Sequence, residues 1–432
     1  MSLRGAHSRS RSLESRSRRV VKSTTGPLDS LTLSRSDLFR LLCVLAILIV
    51  GLLAVPTFSD IWRAAAGNTP TTSPPQGTWY FAVSGDSRDC GDLIMPKIAH
   101  AIEENRGNAP AEFYWHLGDL RRIFDIDCDI EKRKNPSFDC VHRGATPLTK
   151  DEMSDYLSEA WDDFIEHQIK PFGSMQVFIG IGNHELLAGR TRDDFRKKFQ
   201  KWLTQEPLHG QRIADGAKGL LTEEGDTYYH FKKNGVDFIS LDNADAKSFT
   251  ADQVLWLSKL LKLDGEDASI KTIIVGMHEA LPYSKSQSHA MDSSCQGLCS
   301  GEEVYEMLFR AQRLAGTPEQ RKHVYVFCSH AHYLQEDIFN TPEHQGRVLP
   351  GWLVGTAGAE QYTNTIVYGY LQVEVRPDGT VNPQFKEVTR GMPPAASGLG
   401  ANELTDFCFQ DNKRGRSPDD RAKGDCACGA VK

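Results

Sequence analysis

Gly182-Asn183-His184-Glu185 follows directly after the apolar run Val177-Phe178-Ile179-Gly180-Ile181. An amide, an imidazole and a carboxylate side by side at the end of a buried strand are typical of a sheet that carries polar groups on its rim. A turn that merely ends a strand has the same short pattern. Polar clusters elsewhere in the chain favour the first interpretation.

Four further polar clusters each follow an apolar run, and each of these runs predicts a strand. In chain order they are Gly85-Asp86-Ser87-Arg88, Gly118-Asp119, Gly276-Met277-His278-Glu279 and Ser329-His330-Ala331-His332. Five predicted strands therefore end in Asp, Asp, Asn, His and His-x-His.

The order of these groups resembles the calcineurin-like metallophosphoesterase superfamily, whose signature is Asp, Gly-Asp, Gly-Asn-His-Glu/Asp, His and then Gly-His-x-His. The resemblance covers about residues 79–375. It implies an α/β fold in which two mixed β-sheets pack face to face with helices on the outside, a four-layer sandwich. Residues 352–357 and 368–375 are predicted as late strands that complete the second sheet.

The resemblance also implies a centre of two divalent or trivalent metal ions, which would be iron, manganese or zinc. Its ligands would be Asp86, Asp119 and His332 for one ion, and Asp119, Asn183, His278 and His330 for the other. Two histidines at positions i and i+2 of a strand end point the same way, which suits His330 and His332 to this task. Such a centre attracts phosphate and lowers the pKa of a bound water, so that hydroxide becomes the nucleophile.

Three further residues are candidate catalytic groups: His184, Glu185 and Arg88. The resemblance gives His184 the task of stabilising or protonating the leaving-group oxygen, and Glu185 the task of orienting it. Many members of the superfamily have His where this chain has Arg88, and purple acid phosphatases have Tyr where it has Arg122. Arginine offers no lone pair to a cation, so the occupancy of the first metal site is open.

Three hypotheses account for these two arginines. In the first, Arg88 or Arg122 contacts the substrate phosphate through two parallel hydrogen bonds. In the second, a nearby carboxylate completes the ligand shell, with Asp89, Asp92 and Asp125 as the candidates. In the third, the arginines pair with the acidic loop at the surface and take no part in catalysis.

The predicted activity is hydrolysis of a phosphomonoester or phosphodiester, either small or carried on a protein. The alternative is a non-catalytic metal- or phosphate-binding sensor module with a degraded first metal site. Specificity is predicted to lie in the loops at 123–149 and 282–300, because recognition segments tend to lie at the edge of a sheet.

Charge is divided unevenly along the chain. Residues 1–40 hold nine Lys/Arg and three Asp/Glu, a charge of +6, which leaves −13 for the rest of a chain whose net charge is −7. An acidic body argues against nucleic acid as the main partner, because such binding depends on Lys and Arg that neutralise phosphates. The Ser/Arg-rich composition of residues 1–40 predicts disorder.

The apolar run at 41–58 predicts a transmembrane signal anchor, since about 17 to 25 residues span a bilayer. Basic residues before it predict a cytoplasmic N-terminus and an extracytoplasmic body, which would be periplasmic, extracellular or lumenal. A cleaved signal peptide ending near Ala64-Ala65-Ala66, and hence a secreted protein, is the alternative. The predicted organisation is a basic cytoplasmic segment at 1–40, the anchor at 41–58, a linker at 59–78, a catalytic domain at 79–390 and a Cys-containing tail at 391–432.

Ten cysteines are consistent with export. Cys43 lies in the apolar run, and Cys328 lies in a predicted buried strand, where a thiol is a small apolar group. Eight others fall in predicted loops and indicate disulfides: Cys90, Cys128, Cys140, Cys295, Cys299, Cys408, Cys426 and Cys428. Their connectivity is open. Cys128 with Cys140 and Cys295 with Cys299 are the local options, and Cys408, Cys426 or Cys428 would attach the tail to the domain.

Overall fold

The computed structural model of the protein describes residues 77–143, 149–220, 222–223, 225–245, 248–286, 289–312, 321–415, 426 and 428. The predicted cytoplasmic segment, the predicted anchor at 41–58 and nearly all of the predicted linker lie outside these ranges, so they stay predictions. Within the described ranges, no helix is both long enough and apolar enough to cross a membrane.

Eleven strands in the described part of the chain form two sheets. They are β1 (Trp79–Ser84), β2 (Ala111–His116), β3 (Gln176–Ile179), β4 (Tyr229–Lys233), β5 (Val236–Ser240), β6 (Thr272–Met277), β7 (His323–Cys328), β8 (Leu334–Glu336), β9 (Gly351–Val354), β10 (Tyr368–Val375) and β11 (Val381–Val388). The first sheet has the order β11-β10-β1-β2-β3 and the second β4-β5-β6-β7-β9-β8. Strands β1 to β3 are parallel, as are β5, β6, β7 and β9, while the remaining strands pair antiparallel to their neighbours. Both sheets are therefore mixed.

Eight α-helices accompany the sheets in the described residues. They are α1 (Gly91–Glu104), α2 (Cys128–Lys134), α3 (Lys150–Phe164), α4 (Arg192–Leu203), α5 (Leu208–Gly216), α6 (Ala251–Glu266), α7 (Cys295–Ala311) and α8 (Ala401–Asp406). Helix α3 begins at a capping box, in which Thr149 and Glu152 each bond to the other's backbone N–H.

Phenylalanine side chains fill the space between the two sheets. Phe81 of β1 and Phe113 of β2 each meet Phe238 of β5, with ring centroids 5.2 and 5.1 Å apart. All three rings are buried, and they meet edge to face, an arrangement that aromatic pairs prefer. The sheets therefore pack face to face, as the sequence predicts.

Side chains of the central strand β6 alternate between the two faces of the second sheet. Ile274 joins the cluster between the sheets, whereas Ile273 and Val275 join an outer cluster with Trp256 of α6 and Leu308 of α7. Burial on both faces explains why this strand is a continuous apolar run.

Helices α1 and α3 cover the outer face of the first sheet. Tyr114 Oη of β2 lies 3.4 Å from Met95 Sδ of α1. The ring of His116, two residues further along β2, packs edge to face on Phe164 of α3 at 5.7 Å. Two mixed sheets enclosed by helices are the α/β sandwich that the resemblance implies.

Strand β10 does not complete the second sheet, so the prediction for residues 368–375 is wrong on this point. It pairs antiparallel with β1 in the first sheet, with Val373 opposite Phe81. The strand with which a strand pairs is set by contacts with distant parts of the chain, and the residues of the strand alone do not predict those contacts. The other late strand, β9, does join the second sheet.

Each predicted polar cluster follows a strand of the parallel core. Asp86, Asp119 and Asn183 come after β1, β2 and β3 of the first sheet, and His278 and His330 come after β6 and β7 of the second. The carboxyl ends of neighbouring parallel strands lie at one edge of a sheet, where α/β proteins bind their ligands. The fold thus places the predicted site residues at strand ends of both sheets.

All eight cysteines predicted to form disulfides are paired, in the bridges Cys90–Cys408, Cys128–Cys140, Cys295–Cys426 and Cys299–Cys428. The local pairing of Cys295 with Cys299 is wrong. Both residues lie on α7 rather than in a loop, and helical residues four apart have Cβ atoms about 5 to 6 Å apart, beyond the roughly 3.5 to 4.5 Å that a disulfide needs. Four disulfides are typical of an extracytoplasmic domain in an oxidising compartment.

A buried charge network joins α5, β4 and β5. His230 Nε2 donates to Asp215 Oδ2 at 2.7 Å, and His230 Nδ1 donates to Asp237 Oδ1 at 2.8 Å. Because both ring nitrogens face carboxylates, the imidazole holds two protons and is positively charged. Burial acts to lower the pKa of His230, but the Asp237 carboxylate outweighs it and raises that pKa to about 10.

Removal of the Cys90–Cys408 bridge is expected to destabilise the fold more than removal of Cys128–Cys140. The first bridge spans 318 residues and the second 12, and the restriction of the unfolded chain grows with loop length. Replacing both cysteines by serine should lower the free energy of unfolding by about 5 kcal/mol for the first bridge and about 3 kcal/mol for the second. Urea denaturation measures both losses, and equal losses would contradict the prediction.

The variant His230→Gln is expected to be less stable than wild type by about 3 to 5 kcal/mol, because it leaves two buried carboxylates without their cation. A raised pKa in the folded state means that the charged imidazole contributes fully below about pH 6.5, its unfolded pKa, and loses its contribution as pH rises towards 10. The stability gap between the two proteins should therefore narrow from pH 6.5 to 10. Urea denaturation across this range checks it; a gap that stays constant refutes the role given to the imidazolium.

Candidate metal centre

Three predicted ligands lie where the backbone leaves a strand in the left-handed region. The φ angle is 59° at Asp86, 59° at Asp119 and 64° at His330. This conformation costs a non-glycine residue on the order of 1 kcal/mol or more and is concentrated at functional sites. The ends of β1, β2 and β7 therefore stand out as candidate functional positions.

Two glycines let the loops after β2 and β3 touch. A Cβ atom on Gly118 would lie 2.5 Å from the Gly182 nitrogen, and one on Gly182 would lie 2.3 Å from the Asp119 nitrogen. Both distances are too short for any residue with a side chain. The glycines of the two motifs therefore permit the contact that brings Asp119 next to Asn183.

Glu185 ties these two loops together. Its Oε2 accepts hydrogen bonds from the N–H groups of Asp119 at 3.0 Å and Gly182 at 2.8 Å, and its Oε1 accepts one from Leu120 at 3.0 Å. The sequence predicts that Glu185 orients His184, whereas the structure directs its carboxylate to the backbone of both loops. Glu185 is thus a positioning residue for the loop ends.

Asp119, Asn183, His278 and His330 converge and are called the His278 group. His278 Nε2 lies 3.0 Å from Asn183 Oδ1, 3.0 Å from His330 Nδ1 and 3.2 Å from Asp119 Oδ1. His278 Nδ1 lies 3.0 Å from the Leu117 carbonyl oxygen, which can only accept a hydrogen bond. Nδ1 therefore carries a hydrogen, and Nε2 is the nitrogen that can bind either a metal ion or a second proton.

The His278 group fits a divalent metal ion. Metal–ligand bonds of about 2.0 to 2.2 Å place neighbouring ligand atoms roughly 3 Å apart, and His278 Nε2 lies at about this distance from each of the other three ligand atoms. Buried lone pairs that face one another require a proton or another cation between them. Burial acts to lower the pKa of His278, but the Asp119 carboxylate outweighs it and raises that pKa to about 10, so without a metal ion a proton on Nε2 would face the other ligand atoms.

Arg88 lies inside the other predicted ligand group, which consists of Asp86, Asp119 and His332 and is called the His332 group. Its Nη2 donates to His332 Nε2 at 2.8 Å, and its Nη1 lies 3.5 Å from Asp119 Oδ2. Only 6 % of Arg88 is exposed. His332 Nδ1 donates to the Glu360 carbonyl at 2.6 Å, so Nε2 carries the lone pair that Arg88 uses.

The His332 group does not fit a metal ion while Arg88 holds this position. Its ligand atoms are close enough to share an ion, with His332 Nε2 3.4 Å from Asp86 Oδ1. The lone pair of that nitrogen is already bonded to Arg88, and a guanidinium has no lone pair to offer in its place. The two groups that the resemblance implies are therefore unequal.

Arg88 also contacts His184. Its Nη1 contacts His184 Nε2, while His184 Nδ1 donates to the Arg122 carbonyl oxygen at 2.5 Å. Asp119 Oδ2 lies 3.6 Å from His184 Nε2. Burial and, to a smaller extent, the positive charge of Arg88 lower the pKa of His184 to about 3. The imidazole therefore holds a single proton at neutral pH, and its role as the acid for the leaving group stays a prediction.

The carboxylates considered for the first ligand shell pair with arginines instead. Asp89 and Asp125 lie 3.2 and 3.6 Å from Arg122 nitrogens. Asp92 lies 2.5 Å from Arg121 Nη2. None of the three carboxylates belongs to a candidate metal group in the part of the chain that the structure describes.

Asn243 supports the site, although it is not among the site residues predicted from the sequence. Its Oδ1 accepts from the N–H groups of His278 at 3.2 Å and Glu279 at 3.1 Å, and its Nδ2 donates to the Glu279 carbonyl at 2.8 Å. Asn243 thereby fixes the backbone at the end of β6. Leu241-Asp242-Asn243 follows the apolar strand β5, so the strand-end pattern used for the other clusters would have found it.

Aromatic rings lie beside His184 and His332. The Phe124 ring is 50 % exposed and lies 5.2 Å from the His184 ring. Tyr362 stacks on His332 at 4.3 Å and lies 4.6 Å from the His289 ring. Phe124 and His289 come from the loops at 123–149 and 282–300, so both predicted specificity loops supply a ring near the site.

Comparison with known proteins gives matches among solved structures. No family model matches this chain, and no curated protein matches it. A purple acid phosphatase, PPD1, from yellow lupin (Lupinus luteus) seeds is 14 % identical with a TM-score of 0.43; the match covers 73 % of this chain and 53 % of that one, so this chain spans about half its length. GAP50, the anchor in the inner membrane complex of Plasmodium, is 13 % identical with a TM-score of 0.43 over 80 % of this chain and 99 % of its own. A phosphatase from Mycoplasma pneumoniae is 10 % identical with a TM-score of 0.33, and the match covers 72 % of this chain and 93 % of that one.

These likenesses are distant, and they concern the fold rather than the substrate. The site's own geometry supports the function proposed below. The chain resembles the calcineurin-like metallophosphoesterase superfamily in the order of its motifs, and phosphatases are among the solved structures to which it is similar.

Proposed function

We propose that this chain hydrolyses a phosphate ester, with a metal ion held by the His278 group. One observation carries the proposal: three ligand atoms lie 3.0 to 3.2 Å from His278 Nε2, at the strand ends of both sheets. Phosphoester hydrolysis is the chemistry that the order of the motifs implies. The substrate is a phosphomonoester or a phosphodiester.

The charges at the site suit an anionic phosphate. A divalent ion bound there would polarise a phosphoryl oxygen and lower the pKa of a coordinated water. Arg88 adds a permanent positive charge beside Asp119, because arginine keeps its proton in proteins. The carboxylates of Asp86 and Asp119 are then outweighed, so the site attracts phosphate although the body of the chain is acidic.

Residues of the chain itself would position the phosphate. Arg88 carries hydrogen-bond donors in a planar fork that matches phosphate oxygens. Glu185 holds the loop ends that carry Asp119 and Asn183. His184, which lies against Arg88, is proposed to face the leaving-group oxygen.

We place this reaction outside the cytoplasm. Four disulfides support that location, because such bridges persist in oxidising compartments. The apolar run at 41–58 would tether the domain to the membrane if it is retained, and its cleavage would release a secreted enzyme.

Wild-type protein is expected to release phosphate from at least one class of ester when manganese, zinc or iron is supplied. The variants Asn183→Ala and His278→Ala should lose activity by at least about 100-fold, because each removes a ligand atom from the metal group. A screen of chromogenic monoesters and diesters, followed by kinetics on the best substrate, measures this. The matched control is His142→Ala, whose imidazole is exposed and pairs only locally with Asp139.

A second function has one observation in its favour. Arg88 occupies the His332 group, as expected of a phosphate-binding or sensor module in which one metal site is lost. Such a module would bind phosphate, detectable by calorimetry, and would turn over no ester with any metal. That pair of results would replace hydrolysis with binding as the function.

Glu185→Gln is expected to weaken metal binding by about 10- to 100-fold, a loss typical of residues that support metal ligands. An amide has one accepting oxygen, whereas the Glu185 carboxylate accepts from three backbone N–H groups. Calorimetric titration with Mn²⁺ measures the change. The control is Glu166→Gln, since Glu166 is exposed and pairs with Lys170. Unchanged affinity in the Glu185 variant would show that the loops keep their contact without this carboxylate.

A further inference from the structure

The His332 group already contains a cation, and that cation belongs to the chain. Arg88 bonds to His332 Nε2 at 2.8 Å and lies 3.5 Å from Asp119 Oδ2. We propose that the Arg88 guanidinium takes the place of one metal ion, so that the protein binds a single ion, in the His278 group, rather than the two that its motifs imply. The inference rests on the proposed metal site but not on turnover.

Competition for a lone pair excludes an ion from the His332 group. His332 has one nitrogen lone pair, on Nε2, because its Nδ1 hydrogen is donated to the Glu360 carbonyl. Arg88 Nη2 is hydrogen-bonded to that nitrogen at 2.8 Å. An ion would bind the same nitrogen at about 2.0 to 2.1 Å, which leaves no room for the guanidinium. One of the two must be absent.

Charge also opposes an ion beside Arg88. The guanidinium stays protonated at every ordinary pH, and a divalent ion in the same group would lie within a few ångströms of it. Asp119 instead has one oxygen for each cation. Its Oδ1 lies 3.2 Å from His278 Nε2, and its Oδ2 lies 3.5 Å from Arg88 Nη1.

The backbone that carries Arg88 is fixed. Asp86 N–H donates to the Gly118 carbonyl at 3.0 Å, and Ser87 N–H donates to the Asp119 carbonyl at 3.0 Å. Two residues after Arg88, Cys90 is bridged to Cys408. The side chain therefore leaves a braced loop and ends in a buried position, where it contacts His184 as well as the His332 group.

The closing experiment counts metal ions. Full-length wild type and the variants Arg88→Ala and Arg88→Lys are equilibrated with Mn²⁺, dialysed and analysed for manganese per chain. Wild type and Arg88→Lys, which keeps the charge, are expected to hold one ion, and Arg88→Ala is expected to gain a second. Electron paramagnetic resonance gives an independent reading, because an isolated Mn²⁺ and a coupled pair sharing Asp119 have different spectra.

Two results would overturn the inference: two ions in wild type, or a single ion in a folded Arg88→Ala. If Arg88→Ala does not fold, the variant His332→Ala decides. Under the inference the single ion is held by the His278 group, so wild type and His332→Ala each hold one ion; a folded His332→Ala that holds none would place the ion in the His332 group and overturn the inference.

Metal counts and phosphate release separate this inference from the proposed function. A protein that binds one ion, gains another in Arg88→Ala and releases no phosphate keeps the inference and loses the function. A protein that holds two ions and hydrolyses an ester keeps the function and loses the inference.

Discussion

Contact between two backbone segments is the constraint on which the rest of the site depends. Gly118 and Gly182 approach so closely that a Cβ atom on either would lie within 2.5 Å of the other loop. Because this contact joins the loops at the ends of β2 and β3, Asp119 and Asn183 lie close together. Glu185 then bonds to the N–H groups that the contact leaves at the loop ends. Backbone packing thus positions Asp119 and Asn183, two of the four candidate ligands in the His278 group.

Asp119 links this packing to the electrostatics of the site. It is fully buried, so its charge requires compensation by neighbouring cations or donors. Its two oxygens face two different partners, the His278 group on one side and Arg88 on the other. The carboxylate of Asp119 therefore lies between Arg88, a cation supplied by the chain, and the proposed metal position in the His278 group.

Local patterns made most of the site predictable. An apolar run followed by Asp, Asn or His indicates both a strand and a polar group at its end, so the sequence predicts Asp86, Asn183 and His278 at strand ends, where the structure has them. Contacts between distant segments of the chain leave no such local pattern in the sequence. The partner of β10 and the tail cysteines that bridge to α7 depend on how the chain returns on itself. The direction of the Arg88 side chain depends on its hydrogen bond to Nε2 of His332, which lies 244 residues further along the chain.

Arg88 supplies a positive charge to the site but cannot act as a metal ligand. Histidine, which many superfamily members have at this position, offers a lone pair and helps to hold a cation. Arginine offers none and is itself the cation. A guanidinium has no open coordination position, so on this side of Asp119 a phosphate oxygen could be bound only by hydrogen bonds. Under the proposed function, a water would be activated on the side of Asp119 that faces His278 and Asn183, and Arg88 would hold a phosphate oxygen on the other side.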